Sequence, residues 1–208
     1  VTARSVESVE SGRRRQLVEA ALDILEAEGP GGLTMRSLAE RVGIRAPSLY
    51  KHVADKDELT ALLIAEAFRG FGGAGHAAMD ALPRGAPTTT QLRTLGRAYR
   101  SWALAHPHLY RLVTGGELRR DLLPEGLEAW AAEPVVTAAG SEPRARAVWA
   151  FAHGMTILEL DGRFPPDADL DAAWEQGIRA FGEAARPDHA EEGSASDSEA
   201  ISRSMNGT

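Results

Sequence analysis

Val18, Ala21, Leu22 and Leu25 recur at i, i+3, i+4 and i+7, the spacing that puts apolar side chains on one face of a helix. The run Gly29-Pro30-Gly31-Gly32 is predicted to end that helix. Met35, Leu38, Ala39 and Val42 repeat the spacing, with Thr34 placed to cap the N-terminus and Gly43 to stop the C-terminus. Pro47 suits the first turn of a third helix, where its missing N–H is not needed. Asp55 followed by Glu58 predicts a capping box opening a fourth helix. That helix carries two apolar stripes, Leu59, Leu62 and Leu63 on one side and Ala61, Ile64, Ala65 and Phe68 on another. A helix apolar on two sides is packed on two sides, so it is expected to touch both the N-terminal unit and the helices beyond it.

A Gly- and Pro-rich break is read from Gly70 to Pro87, followed by helical runs over 88–105, 107–114, 125–139, 144–162 and 168–185. Pro83, Pro87, Pro107, Pro124, Pro143 and Pro165-Pro166 punctuate them. Alternating strand patterns are missing, so the fold class is all-α. Residues 1–11 read as a frayed arm. Residues 187–208, rich in Ser, Glu, Asp and Gly, cannot bury enough apolar surface to offset their ordering entropy and read as a disordered tail. Two units are expected between these ends, one over 12–55 and a larger helical one over 56–186.

Composition narrows the function. The net charge of −7 excludes a wholly basic nucleic-acid coat but not a DNA reader, because only the face near the phosphates must be positive. The absence of cysteine removes disulfides, thiolate catalysis and cysteine-ligated zinc. No apolar leader opens the chain and no run approaches a membrane span, so a soluble cytoplasmic protein is the default expectation.

The segment from Thr34 to Val53 reads as helix, tight turn, helix. Gly43 supplies the positive φ that the turn needs. Leu38, Val42, Ile44, Leu49 and Val53 would form the apolar junction. Arg45, Ala46, Ser48, Tyr50, Lys51 and His52 are then left for an outer face. Short helices so presented lie in the major groove and offer side chains to base edges. An ordinary αα-hairpin is the competing reading of the same pattern.

The residues GLTMRSLAERVGIRAPSLYKHVADKDEL go further. They resemble the DNA-binding domain of the TetR family of bacterial regulators over about residues 13–65. The matching positions are Leu33-Thr34, Leu38-Ala39, Val42-Gly43-Ile44, Ser48-Leu49-Tyr50, His52-Val53 and Lys56-Asp57-Glu58-Leu59. Val53 stands where Phe is commoner, and Ala46 replaces a polar residue. The resemblance and the chemistry together nominate Thr34, Met35, Arg36, Arg45, Ala46, Pro47, Ser48, Tyr50, Lys51, His52 and Lys56 for DNA contact. Hydroxyls of Thr34, Ser48 and Tyr50, and the Lys56 ammonium, suit phosphate oxygens. Arg36 and Arg45 suit guanine edges, Lys51 suits either, and Ala46 and Pro47 suit a thymine methyl. Arg13, Arg14 and Arg15 could grip the backbone, or stand as a solvated helix end.

In that family the remaining helices dimerise and bind a small ligand. The stretches AHGM, LE and GRF in the 152–164 region, with HPHLYRLV upstream, resemble the C-terminal domain of one branch, of the WHG type. The resemblance implies a homodimer on double-stranded, pseudo-palindromic operator DNA, acting as a repressor and released by a largely apolar small-molecule effector. Candidates for the ligand site are Tyr99, Trp102, Leu104, Tyr110, Trp130, Phe151 and Met155, with His106 and His153 as polar contacts. Candidates for the dimer interface are Phe151, Leu158, Trp174, Ile178 and Phe181, on the helices 144–162 and 168–185. Periodicity does not separate these from intrachain core. A regulator without a small-molecule effector is the alternative. An all-α enzyme is the more distant one, since the chain has no phosphate loop, nucleophile elbow or HExxH helix. No metal site or cofactor is expected; His106 and His108 are a close pair without a third ligand at sensible spacing.

Overall fold

A computed structural model describes the backbone of residues 3–183, with side chains from residue 12 onward. The tail expected over 187–208 lies outside the described residues. Among the described residues the regular structure is wholly helical. Helix α1 (Ala3–Gly32) is interrupted at Gly29, whose φ of 72° and ψ of −177° lie in a region essentially open only to glycine. The regular helix therefore ends where the Gly-Pro-Gly-Gly run places it, and one further turn follows. At its other end α1 starts at Ala3, inside the segment read as an arm. Residues 3–11 need no new nucleus, because they extend a helix already held by Leu17, Ala21 and Ile24.

Thr34 caps α2 (Met35–Arg41) from an extended backbone, and its hydroxyl accepts the Ser37 N–H at 3.0 Å. Ser37 accepts the Thr34 N–H in return at 2.9 Å, completing a reciprocal box. Gly43, with φ of 68°, makes the turn into α3 (Ala46–Leu49). Four residues cannot hold a helix by themselves. What holds α3 is Leu49 and, just beyond it, Val53, both buried against Leu38 and Ala39 of α2 and Ile24 and Leu25 of α1.

Helix α4 (Lys56–Asp80) is capped by Asp55, which accepts the Glu58 N–H at 2.8 Å. The expected box is displaced by one residue, since the Glu58 carboxylate accepts the Ala54 N–H at 2.6 Å rather than that of Asp55. The two apolar stripes of α4 do face two ways. Leu59, Leu63 and Ala67 enter the core of the N-terminal head, and Ile64 and Phe68 pack with Ala131 in the C-terminal half.

The break read from Gly70 to Pro87 is corrected by the structure: α4 continues to Asp80, and only residues 81–87 are irregular. The glycines serve close packing instead. A Cβ on Gly70 would stand 2.5 Å from the Trp102 indole, and one on Gly72 would stand 2.9 Å from the Ala131 backbone. Helix α4 meets α5 (Thr88–Ala105) and α7 (Leu127–Ala139) across these notches. The short α6 (Pro107–Thr114) runs between the head and the C-terminal half, and α8 (Glu142–Leu160) and α9 (Leu170–Glu183) complete the bundle. A second core of Leu92, Leu95, Ala138, Val148 and Ile178 joins α5, α7, α8 and α9.

Candidate nucleic-acid interface and regulatory core

On the head, Leu49 is fully buried while Tyr50, its neighbour, is 51% exposed. Arg45, Ala46, Pro47, Lys51 and Lys56 are exposed as well. These residues form a polar and basic outer surface on a helix anchored from beneath, the arrangement that major-groove reading requires. Arg36 is exposed and donates to Glu40 at 2.9 Å, and that hydrogen bond raises its pKa further above the usual guanidinium value. The pair lies at i, i+4 on a solvated surface, so exchanging Glu40 for a base edge costs little.

Four nominated residues are more engaged than the sequence indicates. The Thr34 hydroxyl is occupied by the cap with Ser37. Met35 is half-buried and packs against the head core. Ser48 is half-buried, and so is His52, whose Nδ1 is sealed without a hydrogen-bond partner. Of the arginines opening α1, Arg14 pairs with Glu58 of α4 and Arg13 donates to Gln16 at 2.7 Å. Arg14 thus ties α1 to the start of α4.

In the C-terminal half the structure brings Tyr99, Trp102 and Tyr110 together. Phe71 of α4 packs edge-on against Trp102 (ring centroids 5.5 Å apart) and Tyr99 (6.4 Å). The Tyr99 and Tyr110 hydroxyls lie 3.0 Å apart, and the Tyr110 hydroxyl lies 2.7 Å from Nδ1 of His153. Thr156, fully buried, faces the Tyr110 hydroxyl and pulls that phenol's pKa down against the upward push of burial. Trp149 stacks on His153 at 5.6 Å and is itself half exposed, so the row runs from the interior to the surface of α8. Burial pushes both phenols above their ordinary value and lowers that of His153. In the neutral His153 tautomer that carries its proton on Nε2, Nδ1 accepts from the Tyr110 hydroxyl, which then accepts from Tyr99. Nearby charges are matched with each other: Arg100 donates to both oxygens of Glu159 at 2.8 Å and to Asp171 at 2.6 Å.

The lowered His153 pKa has a signed consequence. The unfolded histidine takes a proton near pH 6.5 while the folded one resists it, so protonation favours unfolding. Stability is expected to be full above about pH 6.5 and to fall as pH drops through that value. Urea unfolding at about pH 7.5 and about pH 5.5 checks this. The difference between the two should shrink in His153→Asn, which keeps an acceptor but does not titrate.

Of the other ligand candidates, His106 tilts against Trp102 with ring centroids 5.2 Å apart, while Trp130, Leu104 and Phe151 lie elsewhere. Trp130 stacks on His76 at 4.8 Å on the outer side of α4 and α7 and is 41% exposed. Leu104 is exposed, one residue past the buried Ala103 face of α5. Phe151 packs instead on Trp174 and Phe181. Met155 is half-buried on α8. Phe71, Trp149 and Thr156 were not among the sequence candidates. Phe71 falls inside the supposed break; the stretch 145–160 is apolar nearly all round, so Trp149 does not stand out in it, and Thr156 reads only as one of its few polar interruptions.

Among the expected dimer residues, Trp174 and Ile178 need correction. Trp174 and Ile178 are buried inside the protomer, facing Gly96 of α5, where a Cβ would stand 3.5 Å from each. The Phe151 ring lies over Gly177, within 2.1 Å of where a Cβ would stand. Phe181 packs on the same core. Glycines at 96 and 177 let large side chains close the α5–α8–α9 joint, with Phe151 and Phe181 half-buried and Leu158 exposed.

Known proteins share this geometry. Residues 17–63 match the family of bacterial regulatory proteins named for tetR, and residues 92–181 match a tetracycline repressor-like C-terminal domain. An uncharacterized HTH-type transcriptional regulator of Mycobacterium tuberculosis is 32% identical over 177 residues, covering 77% of this chain and 76% of that protein. The class D tetracycline repressor protein from Escherichia coli is 43% identical over 53 residues, 26% of this chain and 24% of the repressor. Among solved structures, a TetR variant from Acinetobacter baumannii in complex with minocycline superposes with a TM-score of 0.56 at 24% identity, covering 81% of this chain and 93% of that one. With the reading head, the two family matches and the mycobacterial relative in register, the chain belongs to the TetR family and is a DNA-binding transcriptional regulator.

Proposed function

We propose that the protein is a repressor that binds a pseudo-palindromic operator as a homodimer in the cytoplasm and is released by a largely apolar small molecule. The observation that carries DNA reading is the contrast on α3 between buried Leu49 and exposed Tyr50 and Lys51. Two such helices related by a two-fold axis fall about 34–36 Å apart, on successive turns of one DNA face. The surface offered to a second copy is the outer side of α8, where Ala147, Ala150 and Leu158 are exposed and Gly154 lies between them. Ala173 and Ala180 of α9 are exposed too. Small residues at this spacing let helices approach closely.

The effector site proposed is the row Phe71, Tyr99, Trp102, Tyr110, His153 and Thr156. Apolar rings there surround a few neutral polar groups, the usual make-up of a small-molecule site. The minocycline complex of the Acinetobacter regulator supports the reading by analogy. The effector can shift DNA binding by no more than its differential affinity for the two poses of the heads.

Selection of bound fragments from random DNA by the purified protein, followed by titration of variants, tests the reading. Tyr50→Ala and Lys56→Ala are expected to weaken binding to all sequences, and Lys56→Ala, which removes a cation, to lower the salt slope by about 0.9 while Tyr50→Ala leaves the slope unchanged. Arg36→Ala and Arg45→Ala are expected to remove about 1–3 kcal/mol of discrimination at one base pair. Operator affinity untouched by all four changes would overturn DNA reading by this surface. Selected sites without two-fold symmetry would overturn the dimer.

A further inference from the structure

Helix α6 begins without a side-chain cap of its own. Pro107 has no N–H, and the next two N–H groups point out of the C-terminal half toward α1 of the head. The Glu26 carboxylate meets them. One oxygen accepts the Leu109 N–H at 2.9 Å and the other faces the His108 N–H at 3.3 Å. A carboxylate there also complements the positive end of the helix. The same contact is reinforced twice. The His108 ring lies over Gly29, within 3.4 Å of where a Cβ would stand, and Leu109 is buried in the core of the head. The very next residue, Tyr110, is buried on the other side, in the row leading to His153. Three successive residues of one short helix therefore bridge the two halves: His108 and Leu109 bind the reading head and Tyr110 binds the regulatory core.

We propose that Glu26 is a positioning residue: by capping α6 across the domain boundary it fixes the pose of the reading head against the regulatory half, and so the half-site spacing that a dimer accepts. The spacing part rests on the dimeric reading above; the pose part does not. Helix α4 is a second connection, but a continuous helix with two packed faces can bend or roll as a body. The Glu26 contact is directional, because two N–H groups must meet one carboxylate. Removing it leaves those groups to water and frees the head to rock about the start of α4.

The test has two arms, both on the full chain, using Glu26→Ala and Glu26→Gln. The chain has no cysteine, so Asp23→Cys on α1 and Thr137→Cys on α7, both at least partly exposed positions, take nitroxide labels without background. Labelled protein is diluted with unlabelled protein, so that pulsed dipolar spectroscopy reads the distance within one protomer. Against a narrow distribution with native Glu26, Glu26→Ala is expected to broaden it. Glu26→Gln, whose amide oxygen still accepts, is expected to restore most of the narrow peak. A distribution unchanged by Glu26→Ala in protein that melts cooperatively would overturn the proposal. The second arm titrates the selected operator and versions with the centre lengthened or shortened by one base pair. The native protein is expected to lose about tenfold or more on respacing, and Glu26→Ala to lose much less. Spacing discrimination kept in Glu26→Ala would overturn the spacing part. A native protein indifferent to spacing would sink the dimeric reading, while the distance arm still decides whether Glu26 sets the pose.

Discussion

Leu49→Ala is expected to cost about 2–5 kcal/mol of stability and to abolish DNA binding while most of the fold survives. Leu49 is fully buried among side chains from α1, α2 and α4, and the four-residue α3 has almost no helical stability of its own. The truncation leaves a cavity where the helix is anchored, so Tyr50 and Lys51 lose their fixed orientation. A domain is stable by only about 5–15 kcal/mol, so the loss is a large share of the whole. Urea unfolding gives the stability, and titration against operator DNA gives the binding. Leu92→Ala is the control, since Leu92 is equally buried but lies in the second core. Its stability loss should be similar and its DNA affinity nearly native. A cost below about 1 kcal/mol for Leu49→Ala would mean that α3 is held by something other than this side chain.

Trp174→Ala is expected to cost about 3–5 kcal/mol, with the same shift of melting temperature at every protein concentration. The indole is 7% exposed within a single protomer and packs on Phe151, with the Arg100 guanidinium 5.8 Å from its ring centre. Were the indole an interface residue, its loss would act through association and would fade at high concentration. Leu158→Glu should behave in the opposite way. It leaves the protomer core intact and puts a charge on the outer face of α8, so sedimentation should show dissociation. A concentration-dependent defect in Trp174→Ala would return the residue to the interface.

The two halves of the chain differ in how much of them can be read from residue order. In the head, the apolar spacing of α1 and α2, the Thr34 cap, the turn at Gly43 and the alternation of Leu49 and Val53 with polar neighbours all stand in the structure. Those features are local. A helix face, a cap or a positive-φ turn is decided within one or two turns of chain, so the pattern alone carries it. The limits of α5 and α6 were also legible, because Pro87 and Pro107 mark helix starts.

Elsewhere the deciding contacts join residues far apart in the chain. Glycines between 70 and 80 look like a break until Trp102 and Ala131 are seen against them. Trp174 and Ile178 look like interface until Gly96 opens a slot for them, and Glu26 looks like a solvated carboxylate until α6 arrives 82 residues later. Residue order by itself determined the family, the all-helical class and the reading head, because backbone preference and period are short-range. The tertiary structure alone decided which apolar residues are core, which face stays open and which rings meet Tyr110. A periodic pattern says that a face must be covered; the shape of its neighbours determines what covers it.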